Sequence, residues 1–297
     1  MKVYKFVLSL LVIALIAVSV SFYSNHRRYL SVKRQLKTYE KSTKAIKTDI
    51  QVIKNCVVGA LGDISRCKSA KLHGIDEPFL FYDLVSSKTT QYVAKEIGKD
   101  IYDFDSIGFK DGDVVIDVGG NIGMVSIYLA KRFPFLKIYA FEPGKQNYEN
   151  FLRNIKLNNI PDGVITVKNL AITGDGRDIE LVVNLLNSGG SSNSSLGWAS
   201  NMCGLEVDHN VHSITLDQVF KQYEIDNCKL LKIDCEGSEY EILYGADEAT
   251  LQKCENLRME VHENEILNKK FGPGSNLVEF AKKYIRDVKT SGIVHDY

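Results

Sequence analysis

From Asp113 onward, short β-branched runs alternate with amphipathic stretches of helical period. The runs are Val114 to Val118, Lys137 to Phe141, Val164 to Val167, Leu230 to Ile233 and Leu257 to Val261. The helical stretches are roughly Ile122 to Phe133, Lys145 to Leu157, Leu216 to Tyr223, Glu239 to Leu243 and Leu277 to Ile285. This alternation predicts βαβ units, an α/β body and a parallel sheet flanked by helices. Gly174-Asp175-Gly176, a turn signal between Val167 and Leu185, predicts a further strand pair. Residues 72–112 carry no clear motif and are read as a lead-in that packs on the sheet.

The 297 residues are 44% apolar, enough for a substantial core in one large domain or two small ones. Lys+Arg and Asp+Glu both number 37, which removes the overall basic excess of a nonspecific nucleic-acid binder, so no nucleic-acid partner is expected. The balance hides a split. Residues 24–54 carry a net +7, and residues 55–297 a net −9. No two of the six cysteines stand at zinc-knuckle spacing, so no structural metal is expected.

Phe6 to Phe22 is an apolar run broken only by Ser9, Ser19 and Ser21. As a helix it covers roughly 25 Å, close to but below the ~30 Å hydrocarbon core, and it is read as a transmembrane anchor. Ala17-Val18-Ser19 also fits a cleaved signal peptide. Beyond it, Tyr29, Val32, Leu36, Tyr39, Thr43, Ile46, Ile50, Ile53 and Val57 alternate steps of three and four, a heptad seam that suits a stalk. The stalk is compatible with a homodimeric coiled coil or with one amphipathic helix on the body or on lipid. The resulting division is 1–23 anchor or signal peptide, 24–71 basic helical stalk and 72–297 body. Arg27, Arg28, Lys33, Arg34, Lys37 and Lys41 outnumber Lys2 and Lys5 across the run, which places a single-pass protein's body in the cytosol. The anchor–stalk–enzyme layout matches a body in the Golgi or ER lumen instead. Asn193-Ser-Ser195, the one glycosylation sequon, matters only there.

The chemistry begins at Val114-Val-Ile-Asp-Val-Gly-Gly-Asn-Ile-Gly123, where a strand ends in a glycine turn that opens a helix. Glycine there lets a ligand approach the backbone, and the helix N-terminus offers N–H groups to an anionic ligand group. Glu142, 19 residues beyond Gly123 at the next strand end, can accept hydrogen bonds from both hydroxyls of a ribose. Two cofactors fit these features, a nicotinamide dinucleotide and S-adenosylmethionine. The spacing G-G-x-x-G departs from the dinucleotide fingerprint, and Asp117 would repel a pyrophosphate while suiting an amino group and a sulfonium. The methyl donor is preferred.

These residues and the blocks that follow resemble one family. Val115-Ile-Asp-Val-Gly-Gly-Asn-Ile-Gly123, Phe141-Glu-Pro143, Ile214-Thr-Leu-Asp217, Leu231-Lys-Ile-Asp-Cys-Glu-Gly-Ser-Glu239, Leu243-Tyr-Gly-Ala246 and Met259-Glu-Val-His262 look like the ordered blocks of the FkbM-type methyltransferases, across roughly residues 85–285. The resemblance implies a Rossmann-like class I methyltransferase fold, S-adenosylmethionine as cofactor and methylation of a hydroxyl. Carried over by position, Asp117, Gly119, Asn121, Gly123 and Glu142 form the cofactor site, with Gly120 where the family often has Ala.

An alcohol that accepts a methyl group must lose a proton, and a positioned carboxylate or imidazole can take it. Asp234, Glu236 and His262 are the catalytic candidates, since all three would face one crevice of a parallel sheet. Capping of the helix near Glu239 is the structural alternative for the two acids, and a core position is that for the histidine. Ser188 to Gly197 is read as a lid or as a mobile surface loop. The reading is a membrane-anchored methyltransferase of a hydroxyl on a glycan, lipid-linked or small-molecule acceptor. Its rivals are a NAD-dependent oxidoreductase and an inactive, membrane-tethered interaction module.

Overall fold

The computed structural model describes residues 65–295 apart from 77–78, 85–86, 185–186 and 197–204. The apolar run and the heptad seam lie outside the described residues. Among the described residues, no helix is long and apolar enough to cross a membrane.

The chain enters a hairpin, β1 (Ser65–Ala70) and β2 (Phe79–Leu84), then α1 (Thr89–Gly98). β3 (Val114–Val118), α2 (Met124–Arg132), β4 (Lys137–Phe141), α3 (Lys145–Leu157) and β5 (Ile165–Lys168) follow. Next come β6 (Ala171–Ile172), β7 (Ile179–Asn184), β8 (Ser192–Asn193), β9 (Leu205–Val211), β10 (Ser213–Ile214) and α4 (Leu216–Gln222). The last third holds β11 (Leu230–Ile233), α5 (Glu239–Gly245), α6 (Glu248–Gln252), β12 (Asn256–Glu263), α7 (Glu265–Phe271), α8 (Gly274–Ala281) and β13 (Asp287–His295).

Six strands form one sheet in the order β13-β12-β11-β3-β4-β5, and every pairing in it is parallel. The strand order reverses between β3 and β11, and such a switch point opens a crevice outside the carboxyl ends of the strands. Successive side chains leave opposite faces of a strand, so each run feeds two cores. Ile116, Val118, Tyr139, Phe141, Leu231 and Ile233 pack beneath α4 to α8. Val115, Ile138, Ala140 and Leu230 pack beneath α1, α2, α3 and the hairpin. The Ile214-Thr-Leu-Asp217 block has a local cause. Thr215 caps α4 by accepting from the Gln218 amide, while the Gln218 side chain accepts from the Thr215 amide.

Several elements depart from the sequence pattern. The helix expected from Ile122 begins at Met124, because Asn121 and Gly123 take φ of 51° and 89° and hold the turn open until then. The expected strand pair about Gly174-Asp175-Gly176 is not a hairpin. β6 pairs in parallel with β10, while β7 forms an antiparallel three-stranded sheet with β8 and β9. Residues 72–112 contain β2 and α1, and β1 lies ahead of Leu72 in the same compact unit, which begins at Ser65. The helix expected over Leu277 to Ile285 starts at Gly274, directly after Pro273.

Gly119 carries the tightest contact in the switch point. Its φ is +78°, and a Cβ there would stand 1.8 Å from the carbonyl oxygen of Asp234, with backbone on both sides and no side chain to yield. Gly119→Ala is expected to cost at least about 3 kcal/mol, read from urea unfolding midpoints. A midpoint near wild type would show that the two strand ends can separate without loss.

Candidate active site

The crevice holds a cavity of about 260 Å³, and its wall differs from end to end. Toward β5 it is lined by Phe141, Leu170, Ile172, Ile179 and Leu181; toward β12 by Glu96, Tyr102, Asp234, Glu236 and Glu260. Gly119, Gly120, Asn121 and Glu142 lie between.

The glycine turn does not present an open set of amides. The Gly119 and Gly120 N–H groups both donate to the Phe141 carbonyl, at 3.0 and 2.9 Å. Asn121 N–H donates to Glu142 Oε2 at 2.8 Å, Ile122 N–H to Asn121 Oδ1 at 2.6 Å and Gly123 N–H to the Gly120 carbonyl at 2.9 Å. The amides of the turn itself, residues 119–123, are therefore bonded within the protein, and the helix begins only after them, at Met124. The glycines serve fit within the protein. A Cβ on Gly123 would meet the Phe151 ring at 2.2 Å, and one on Gly120 at 2.8 Å.

Asp117 is also placed differently from its sequence reading. It is buried behind the turn and does not line the cavity, with Oδ2 accepting from the Ser126 hydroxyl at 2.6 Å and Oδ1 3.2 Å from Lys232 Nζ. Lys232 Nζ also donates to the Gly119 carbonyl at 3.1 Å and stands 3.6 Å from Asp234 Oδ2. Burial opposes the Lys232 charge, but Asp117 and Asp234 outweigh it and hold the ammonium protonated far above neutral pH. Sequence reasoning gave Lys232 no role. The available signal was a charged residue inside Leu-Leu-Lys-Ile, a strand buried on both faces, which requires a partner.

Glu142 does reach the cavity. Its Oε1 accepts from Gly144 N–H at 2.9 Å, and burial raises its pKa to about 7 against these hydrogen bonds. Oε1 also accepts a long hydrogen bond from Asn147 Nδ2 at 3.4 Å, whereas Oε2 accepts only from Asn121 N–H and keeps a lone pair for a ribose hydroxyl. A carboxylate acceptor and apolar walls fit an adenosine.

Asp234 and Glu236 both face the cavity, on the turn that follows β11. Tyr102 donates weakly to Asp234 Oδ2 at 3.5 Å. His262 does not line the cavity. Its Nδ1 sits 3.0 Å from Glu239 Oε1 and its Nε2 3.6 Å from Glu236 Oε2. Burial works against the charged ring, yet the two glutamates prevail and raise its pKa to about 10. A proton-accepting role for His262 is therefore corrected: it is a cation that braces Glu236 and Glu239. Two acids outside the expected set join the site. Burial, then Asp234, raises the pKa of Glu260 to about 7 and also raises that of Glu96, while burial raises Glu236 to about 8. Asp234, Glu260 and His262 each offer one ligand atom, all within 4.8 Å of one another, and could converge on a metal ion.

The segment expected as a lid or loose loop is fastened at its start. The Ser188 carbonyl accepts from Asn121 Nδ2 at 3.0 Å and Asn147 Nδ2 at 2.8 Å, and Gly189 N–H donates to Thr89 Oγ1 at 3.0 Å. Ser188 Oγ donates to Asp83 Oδ1 at 2.8 Å, and Lys68 Nζ to Asp83 Oδ2 at 2.8 Å. Residues 188–189 thus form a fixed roof over the glycine turn. Asn193, the sequon residue, is buried in β8 and lines the cavity.

Because Glu142 is a stronger acceptor for a ribose hydroxyl as a carboxylate than as a neutral acid, affinity for S-adenosylhomocysteine should fall as pH drops through about 7, by up to tenfold per unit below it. Calorimetry at pH 6, 7 and 8 measures this. A flat profile for the wild type would show that Glu142 does not contact the ligand.

The sequence model of the methyltransferase FkbM domain matches residues 117–285. Methyltransferase sdnD of Sordaria araneosa is 28% identical over 211 residues, spanning 64% of this chain and 81% of its own length. The 31-O-demethyl-FK506 methyltransferase FkbM of Streptomyces tacrolimicus is 25% identical over 60% of this chain and 77% of its own. The hexuronic acid methyltransferase AglP of Haloferax volcanii is 24% identical over 52% and 57%. The solved SAM-dependent methyltransferase of Agrobacterium tumefaciens aligns at 11% identity and a TM-score of 0.33, over 65% of this chain and 49% of that one, so the chain spans about half its length. The domain match takes in the turn, Glu142 and the acidic cluster together, and it decides between the methyl donor and the rival readings: the chain belongs to the FkbM methyltransferase family, whose cofactor is S-adenosylmethionine.

Proposed function

We propose that this methyltransferase alkylates a hydroxyl group of a polyol acceptor, a glycan or a lipid-linked sugar, bound at the acidic end of the cavity. The observation that carries the reading is the convergence of Asp234, Glu236 and Glu260 on the cavity beside the glycine turn. When bound, S-adenosylmethionine supplies an electrophilic methyl carbon and leaves as a neutral thioether. The residues must hold the acceptor oxygen in line and take its proton as the O–C bond forms. Asp234, next to the turn, is placed to orient the hydroxyl. Glu260, with a pKa of about 7, has the proton affinity that suits a base working near neutrality. Lys232, held by Asp117 and the Gly119 carbonyl, keeps Asp234 in position.

The apolar run Phe6 to Phe22 and the basic segment after it support tethering of this activity to a membrane, with the body on the cytosolic side. Full-length protein should then stay in the membrane pellet after alkaline carbonate extraction, and release into the supernatant would remove the anchor from the proposal.

The base acts as a carboxylate, so kcat/KM should rise with pH through about 7 and level off above about 8. Glu260→Gln should lower kcat at least ~100-fold and abolish that rise while leaving S-adenosylhomocysteine affinity within about twofold. The assay is transfer of labelled methyl to a panel of neutral glycosides and uronates, with the product linkage read by mass analysis. Label found only on nitrogen or carbon, or wild-type activity in Glu260→Gln, would overturn the reading.

A further inference from the structure

We propose that Asn193 reads the base of the cofactor, its Nδ2 donating a hydrogen bond to a ring nitrogen of adenine. The inference rests on the reading of this cavity as an S-adenosylmethionine site and adds to it a recognition residue from outside the six-stranded sheet.

Asn193 stands opposite Leu181 in the antiparallel pairing of β8 with β7. Directly opposed residues of such a pair project from the same face, and both of these line the cavity. Leu181 packs with Ala171 and Ile179, and Leu170, Ala171 and Ile172 follow β5 into the cavity wall. Asn193 therefore belongs to the apolar end, on the far side of Glu142 from the acids.

The amide orientation is fixed by its own neighbours. Oδ1 accepts from the Ser195 amide at 3.1 Å and from the Ser195 hydroxyl at 3.0 Å, which turns the NH₂ group the other way. That group has no hydrogen-bond partner, although the residue is only 5% exposed. A buried donor left unpaired is costly, and a ligand acceptor is what relieves it. With Glu142 taking the ribose hydroxyls, the next part of an adenosine to enter the slot is a flat ring with apolar faces and acceptor nitrogens at its edge. Phe141, Leu170, Ile172 and Leu181 supply the apolar walls. Beside them, Asn193 offers an unused amide donor.

The same placement removes Asn193 from use as a glycan acceptor in the folded protein, because its amide nitrogen is inside the site rather than on the surface.

Asn193→Asp keeps the acceptor for Ser195 and replaces the free donor by an acceptor. Calorimetry of the full-length protein with S-adenosylhomocysteine at pH 8 should show at least a tenfold loss of affinity in this variant and about a fivefold loss in Asn193→Ala. The melting temperature of ligand-free Asn193→Asp should stay near that of wild type, which separates recognition from folding. Titration with the 1-deaza, 3-deaza and 7-deaza analogues gives the second arm. One of them should bind wild type about fivefold more weakly than the parent compound yet bind Asn193→Ala equally well. Unchanged affinity in both variants would overturn the inference while leaving the cofactor reading intact. So would an unchanged affinity joined to a raised KM for the acceptor. Absence of binding by wild type would overturn the cofactor reading and this inference with it.

Discussion

The geometry of the site depends on one ammonium group in a dry interior. Lys232 Nζ lies against Asp117, the Gly119 carbonyl and Asp234, and so joins the ends of β3 and β11 where the strand order reverses. Bringing a lysine out of water is expensive, and only oxygens arranged around it make the arrangement hold. A consequence follows for the division of labour among the acids. The charge of Asp117 is spent inside the protein, and the carboxyl that meets the cofactor space is Glu142.

The rest of the cavity is sorted by chemistry along the sheet. Strands β4 and β5 lead to apolar side chains, whereas β11 and β12 lead to Glu236 and Glu260, whose protonated forms are favoured by burial and by the neighbouring Asp234. His262 sits at the back of the acidic end, against Glu236 and the buried Glu239, and does not line the cavity. A neutral, apolar-faced ligand portion is thereby directed to one end and a hydroxyl donor to the other.

Much of this was legible in the sequence where the information is local. The run Val114 to Val118, the turn after it and Glu142 are set by neighbours within about thirty residues, and their order along the chain is their order around the crevice. What escaped is set by partners far away in sequence. Asp117 looks like a ligand group until Lys232, on another strand, is seen beside it. His262 looks like a base until Glu239 and Glu236 close on its two nitrogens. The turn amides look free until the Phe141 carbonyl takes two of them. The roof at 188–189 lies in a polar, serine-rich stretch that gives no periodic signal, and its order comes from Asp83, Thr89 and Asn147.

The roof draws on chain outside the segment shared with the family. Ser188 and Gly189 are anchored through Asp83, Thr89 and, behind them, Lys68, all of which precede the first residue of the segment shared with the family. A fragment trimmed to that shared segment would keep Asn121 and Asn147 on the Ser188 carbonyl, yet lose the Asp83 and Thr89 contacts to Ser188 and Gly189. The hairpin at 65–84 and the start of α1 accordingly supply part of what seats the roof over the glycine turn.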